Sequence, residues 1–238
     1  MDINVFLVCH NESALLPHTV NHYKKNLPSC KITVHDNGSS DNSVELAESL
    51  GCKVLHWDTG GKTNEKELVN LKNECWKVTE KGWVIVGDMD EFLCVTEEDL
   101  KRELEAGTTI LNIQGYDMVG ESKTEDLTDI DLHSIKKYFD SPGMSKRMCF
   151  LRGKVTDIHY DYGAHSAYPK GELVFSSTVY MNKHMNKLGL PFVTKRTLDR
   201  FHRSHDMRQI LLDTHYTDDV AKIEREYLAL LASAKTLA

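Results

Sequence analysis

Trp83-Val84-Ile85-Val86-Gly87-Asp88-Met89-Asp90-Glu91 is a short apolar run that breaks into three carboxylates. A run of this length, bounded by glycine, reads as a buried strand. The acids therefore stand at the strand's carboxyl end. Asp88 and Asp90, one residue apart, can turn toward a single divalent cation. Their hard oxygens suit Mg²⁺ or Mn²⁺, which bridge a few carboxylates to substrate phosphates. The competing reading is a helix start, where the dipole favours Asp90 or Glu91. The apolar run before the acids and Phe92-Leu93 after them favour the cation.

Upstream the same grammar repeats. Ile3–Cys9 and residues 31–35 and 52–57 read as strands, while residues 12–25, 43–50 and 65–79 read as helices. Pro17 falls in the first turns of its helix, where a missing N–H matters least. Strand–helix alternation means βαβ units and a mostly parallel sheet, and such sheets bind ligands outside the carboxyl ends of their strands. Asn11-Glu12, residues 36–39 and residues 88–91 all lie at those ends. Three polar loops on one edge make a site. In Asp36-Asn37-Gly38-Ser39-Ser40-Asp41 the first acid can accept from a base or ribose; an ordinary turn that caps the next helix is the alternative.

Downstream, residues 108–114 read as a strand running into Gly115-Tyr116-Asp117, and residues 120–131 as a polar, mobile loop. Residues 148–152 and 173–182 read as further strands. The chain from His184 onward is helix-rich, with 218–234 amphipathic. No linker divides it, which implies one domain: a nucleotide-binding half (1–107), an acceptor and metal half (108–200) and C-terminal helices (201–238). Twelve histidines are more than such a chain needs. His165 and His184 follow strands and can each give a metal a nitrogen ligand. His22, His202, His205 and His215 read as ordinary surface or hydrogen-bonded residues.

The 238 residues carry 36 acidic against 29 basic side chains, a net charge of −7, which argues against nucleic acid as a partner. The same charge sets a difficulty for any anionic ligand. Six cysteines without a CxxC exclude a zinc ribbon and read as small buried thiols in a reducing compartment. There is no basic leader, and the apolar runs fall far short of the ~18–20 residues of a membrane span, so a cytoplasmic, soluble protein is expected. Gly60-Gly61-Lys62-Thr63 imitates the end of a P-loop, but His56 stands where that motif needs glycine. GxGxxG, GxSxG and HExxH are absent, which removes the commonest dehydrogenase, hydrolase and zincin readings. Asn11-Glu12-Ser13 and Asn37-Gly38-Ser39 match glycosylation sequons but fall on the expected ligand edge.

Val8-Cys9-His10-Asn11-Glu12, Val34-His35-Asp36-Asn37-Gly38-Ser39-Ser40-Asp41 and Asp88-Met89-Asp90-Glu91-Phe92 together resemble the GT-A glycosyltransferases related to glycosyltransferase family 2. Leu71-Lys72-Asn73-Glu74-Cys75-Trp76-Lys77, Gly115-Tyr116-Asp117-Met118, Gly163-Ala164-His165-Ser166 and His184 with Leu188-Gly189 are similar to a branch found in bacteria and large viruses. The resemblance spans residues 4–200 or so.

It implies a GT-A fold: α/β and Rossmann-like, a mostly parallel central sheet flanked by helices, with a helical C-terminal extension. It implies a metal-dependent transfer of sugar from a UDP- or GDP-sugar to a glycan or other hydroxyl acceptor. By position, Asp36 would hold the base or ribose, with Asn37 and Gly38 beside it and Cys9, Asn11 and Glu12 as pocket wall. Lys72 or Asn73 would reach the nucleotide or its phosphates. Asp88 would face ribose and metal, Asp90 the Mn²⁺ or Mg²⁺ itself, with His165 or His184 completing the set. Met185-Asn186 after His184 depart from the aromatic and basic residues of relatives, which favours His165. An inverting reaction needs a base, for which Asp117 is the candidate and Asp161 the rival. A sugar-1-phosphate nucleotidyltransferase ranks lower because His10-Asn11-Glu12-Ser13 is neither glycine-rich nor basic. A non-catalytic nucleotide-sugar-binding module would have no need for metal ligands.

Overall fold

The computed structural model describes residues 1–209 and 216–237; His215 lies outside them. The first half alternates β1 (Ile3–Cys9), α1 (Leu16–Asn26), β2 (Cys30–Asp36), α2 (Ser43–Ser49), β3 (Lys53–His56), α3 (Glu65–Glu74) and β4 (Gly82–Asp88). The four strands pair in parallel in the order β3-β2-β1-β4. Register places Cys9 opposite Asp36, and Val8 opposite Asp88. Three strand ends are therefore level, and the loops after them share one edge. Pro17 sits in the first turn of α1, and Asn64 caps α3 by accepting from the Glu67 N–H.

After β4 the chain turns back as β5 (Glu91–Cys94) and α4 (Glu97–Glu105), the latter fixed by a capping box between Thr96 and Asp99. Then follow β6 (Ile110–Val119), β7 (Lys137–Asp140), β8 (Cys149–Arg152), β9 (Val155–Asp157), β10 (Lys170–Gly171) and β11 (Phe175–Lys187). The C-terminal elements are α5 (Leu190–Arg203), α6 (His205–Gln209), α7 (Val220–Ser233) and β12 (Lys235–Thr236). β8 pairs antiparallel with β4 and passes the sheet on to β6, so parallel pairing is concentrated in β1–β4 and the β6–β11 pair.

β11 corrects the expected boundary. The helix-rich region starts at Leu190, because His184 is held in a strand between Glu91 of β5 and Asp117 of β6. That pairing ties the second half to the acid-bearing turn after β4. Residues 120–131 form a loop, as expected, but Leu127 is fully buried and His18 bonds to its carbonyl at 2.8 Å. The six cysteines are all free; Cys9, Cys52 and Cys149 are buried and the others half-buried.

The sheet is packed on both faces. One core gathers Val5, Leu7, Tyr23, Ile85, Phe92 and Leu111 under α1 and α2. The other gathers Phe6, Trp76, Val84, Val86, Phe150 and Tyr160. α7 lays Ile223 and Tyr227 on Val193 of α5. No helix among the described residues is long and apolar enough to cross a membrane.

Candidate active site

The level strand ends bring Cys9, Glu12, Asp36 and Asp88 to one edge. Asp36 is almost fully buried; one carboxylate oxygen accepts from the Ser39 N–H at 3.1 Å, while Oδ1 is buried without a hydrogen-bond partner. A buried acceptor left open in this way is costly unless a ligand donates to it. Burial, with Glu12 and Asp36 nearby, pushes the Cys9 thiol up to about 12, so it is an inert wall.

Four cations meet the acids. Lys72 of α3, 2 % exposed, bonds Asp88 at 2.7 Å. Lys146, 4 % exposed, lies 3.3 Å from Asp88 and 2.8 Å from Glu91. Glu91 in turn accepts from the Asp88 N–H at 2.9 Å. Burial by itself would raise the Asp88 carboxyl, but the two ammonium groups hold it well below the usual range.

Asp90, 6 % exposed, receives the other pair. Its Oδ2 lies 3.2 Å from His184 Nε2 and 2.7 Å from the Arg196 guanidinium. Against burial, these partners keep Asp90 ionised. Arg196 also pairs with Glu12, whose carboxyl burial drives up to about 7 even with Arg196 opposing. His184 Nδ1 meets Asp117 Oδ1 at 2.6 Å. Burial would lower the imidazole, but Asp90 and Asp117 outweigh it and raise it to about 9. Asp117, which Ser141 also contacts, stays below its ordinary value despite burial.

Several expected site residues are engaged elsewhere. His165 is exposed and bonds the Gly143 carbonyl at 2.7 Å; of the two candidate histidines, only His184 contacts Asp90. Asp161 is exposed and accepts from Tyr162 N–H at the start of a 3₁₀ turn. Asn73 spends its amide on both backbone groups of Tyr160, at 2.8 and 3.2 Å. Asn11, at φ 53°, takes the Ser40 N–H at 2.8 Å, and Asn37 takes the Thr59 N–H at 3.1 Å, so both stitch loops together. Gly38 turns the loop between them at φ 64°, where a side chain would be strained. The sequence does not single out Lys146 and Arg196. Lys146 follows an irregular turn with no periodicity to flag it. Arg196 belongs to a basic stripe with Arg200 and Arg203 that reads as a solvated helix face.

No cluster of three or more His, Cys, Asp or Glu side chains forms a ready metal cage among the described residues. Asp90 and His184 nevertheless fit Mg²⁺ or Mn²⁺, which commonly take one or two protein ligands and complete the shell with phosphate and water. The support behind them has the form such ligands require: the second nitrogen of His184 is fixed by a carboxylate.

Comparison with known proteins agrees with this architecture. The glycosyl transferase family 2 model matches residues 4–93. Protein RfbJ of Shigella flexneri is 35% identical over 63 residues, 26% of this chain and 49% of RfbJ. The crystal structure of S. aureus TarS superposes on 98% of this chain and 44% of its own with a TM-score of 0.50 at 16% identity, a likeness of fold. The match thus spans less than half the length of either protein. With its carboxyl-edge acids and its mixed sheet between helices, the chain has the GT-A fold, and its residues 4–93 match glycosyl transferase family 2.

Proposed function

We propose that the chain transfers a glycosyl group from a nucleoside diphosphate sugar, UDP- or GDP-linked, to an acceptor hydroxyl. The observation that carries this reading is the meeting of Asp90 and His184, from opposite halves of the chain, on the edge that also holds Asp36. In this reading Asp36 offers its open oxygen to the base or ribose, between Cys9 and the 36–39 turn. Asp88, held ionised and in place by Lys72 and Lys146, faces the ribose side. Asp90 and His184 hold Mg²⁺ or Mn²⁺, which supplies Lewis-acid neutralisation of the leaving diphosphate.

Asp117 fits a positioning role better than that of a base. Its carboxylate is committed to His184 and Ser141, and it remains a weak acceptor of protons. Ser141 also lines a cleft of about 380 Å³ with Asn112, Gln114, Asp140, Ser145 and Arg147. Amides, hydroxyls and a guanidinium beside the donor site suit a hydroxyl-rich acceptor such as a glycan. Six free cysteines support a reducing, cytoplasmic setting.

Calorimetric titration of UDP, GDP and their sugars, with and without Mn²⁺, tests this reading. Mn²⁺ should strengthen nucleotide binding in the wild type and fail to do so in Asp90→Ala. Absence of nucleotide binding, or an Asp90→Ala protein with the full Mn²⁺ effect, overturns it. Release of sugar from the donor then separates an enzyme from a binding module.

A further inference from the structure

Arg196 occupies the approach to Asp90. Its guanidinium is 2.7 Å from the same Oδ2 that His184 Nε2 faces at 3.2 Å, and its other nitrogen pairs with Glu12. A divalent cation held by Oδ2 and His184 Nε2 would compete for the same oxygen to which that nitrogen donates. Two positive centres so close repel strongly in a half-buried site, so the guanidinium and the cation exclude one another on Asp90.

The helix that carries Arg196 is anchored independently. One turn on, Arg200 bonds Glu65 at 2.8 Å, and Arg203 bonds the Gly61 carbonyl at 3.1 Å while its own carbonyl takes the Thr63 N–H at 3.0 Å. The backbone of α5 can therefore stay while one side chain moves. The ring of Phe192, one turn before, lies 5.2 Å below the guanidinium carbon, within cation–π range. A displaced Arg196 keeps its planar fork of donors, the geometry that matches phosphate oxygens.

We infer that Arg196 is a place-holder that becomes a phosphate clamp: it neutralises Asp90 and Glu12 in the ligand-free chain, yields Asp90 to the cation, and transfers its hydrogen bonds to the diphosphate that arrives with it. This rests on the nucleotide-sugar reading above and adds a residue outside the 4–93 family match.

The two roles predict opposite shifts in one variant. In Arg196→Gln, Mn²⁺ alone, followed by calorimetry or by its paramagnetic signal, should bind about tenfold tighter, the worth of one charged hydrogen bond to Asp90. The same variant should bind the diphosphate, UDP or GDP as the wild type selects, about tenfold more weakly in the presence of Mn²⁺. Its affinity for the matching nucleoside, which lacks phosphate, should be unchanged. Arg196→Lys, which keeps charge without the fork, should fall between the two on both readouts, and it serves if Arg196→Gln does not fold by circular dichroism. Unchanged or weaker Mn²⁺ binding overturns the place-holder, and equal losses for diphosphate and nucleoside overturn the clamp. If the wild type binds no nucleotide, the donor reading fails instead, and the Mn²⁺ arm still decides the place-holder.

Discussion

His184 stands between two carboxylates, and its ionisation would link the proposed metal binding to pH. The imidazole's ordinary value is near 6.5, and Asp90 and Asp117 raise it to about 9 against the pull of burial. A group raised on folding stabilises the native state fully below its unfolded value and loses that contribution as pH climbs through the folded one. The ligand-free chain should therefore lose thermal stability between about pH 6.5 and 9. His184 binds a cation only when neutral, so Mn²⁺ affinity should climb across the same window. Melting curves and Mn²⁺ titrations from pH 6 to 9.5 check both; a flat profile contradicts them. Asp117→Asn should weaken Mn²⁺ roughly 10–100-fold, as loss of a supporting carboxylate does. At this scale the sequence shows where the acids of the candidate site stand. Asp36, Asp88 and Asp90 follow apolar runs, and such runs announce strand ends. The choice between His165 and His184 was not legible, because strand register, which no local motif encodes, puts His184 beside Glu91 and Asp117.

Among the elements, β6 carries a close tolerance beside the candidate site. A Cβ on Gly115 would stand 2.3 Å from the Met144 carbonyl carbon and 2.4 Å from its Cβ, so the 3₁₀ turn at Pro142–Met144 packs directly on the strand. Gly115→Ala should cost about 1–3 kcal/mol through overpacking, and it should disturb Ser141 and hence Asp117. Urea denaturation measures the first, and Mn²⁺ affinity the second. The βαβ half could be read from the sequence because its strands are continuous apolar runs between helical patterns. β5 and α4 are not legible in the sequence, since Glu91-Phe92-Leu93-Cys94 is short and merges with the acidic motif. The end of β11 is not legible either, because its last residues, His184 to Lys187, mix polar and apolar types without strict alternation.

For the whole molecule, the sheet divides two cores, and Trp76 is the largest side chain of the second. It is fully buried, meets Phe150 edge-on at 4.9 Å and lies under Arg152 at 5.2 Å. Trp76→Ala should cost about 3–5 kcal/mol, read as a lower urea midpoint with an unchanged slope. α3 packs beside the same core and brings Lys72 to Asp88, so nucleotide affinity should fall with it. The net charge of −7 looks different once the ion pairs are known. Its acids at the site are already met by Lys72, Lys146, Arg196 and His184, so the edge is far less repellent to a diphosphate than composition suggests.

Those partners are unevenly placed along the chain. Glu12, Asp36, Asp88, Asp90 and Glu91 all fall inside the matched residues 4–93, whereas Lys146, His184 and Arg196 fall outside them. Lys72 is the one member of that cationic set which the shared stretch contains. Kinship measured over this stretch thus inherits the anionic half of an electrostatic lock and not its key. Likeness over those ninety residues therefore says nothing of Lys146, His184 and Arg196, which supply most of the counter-charge at this edge. Transfer of activity between such relatives should follow the later residues, Lys146, His184 and Arg196, rather than the percentage identity of the earlier ones.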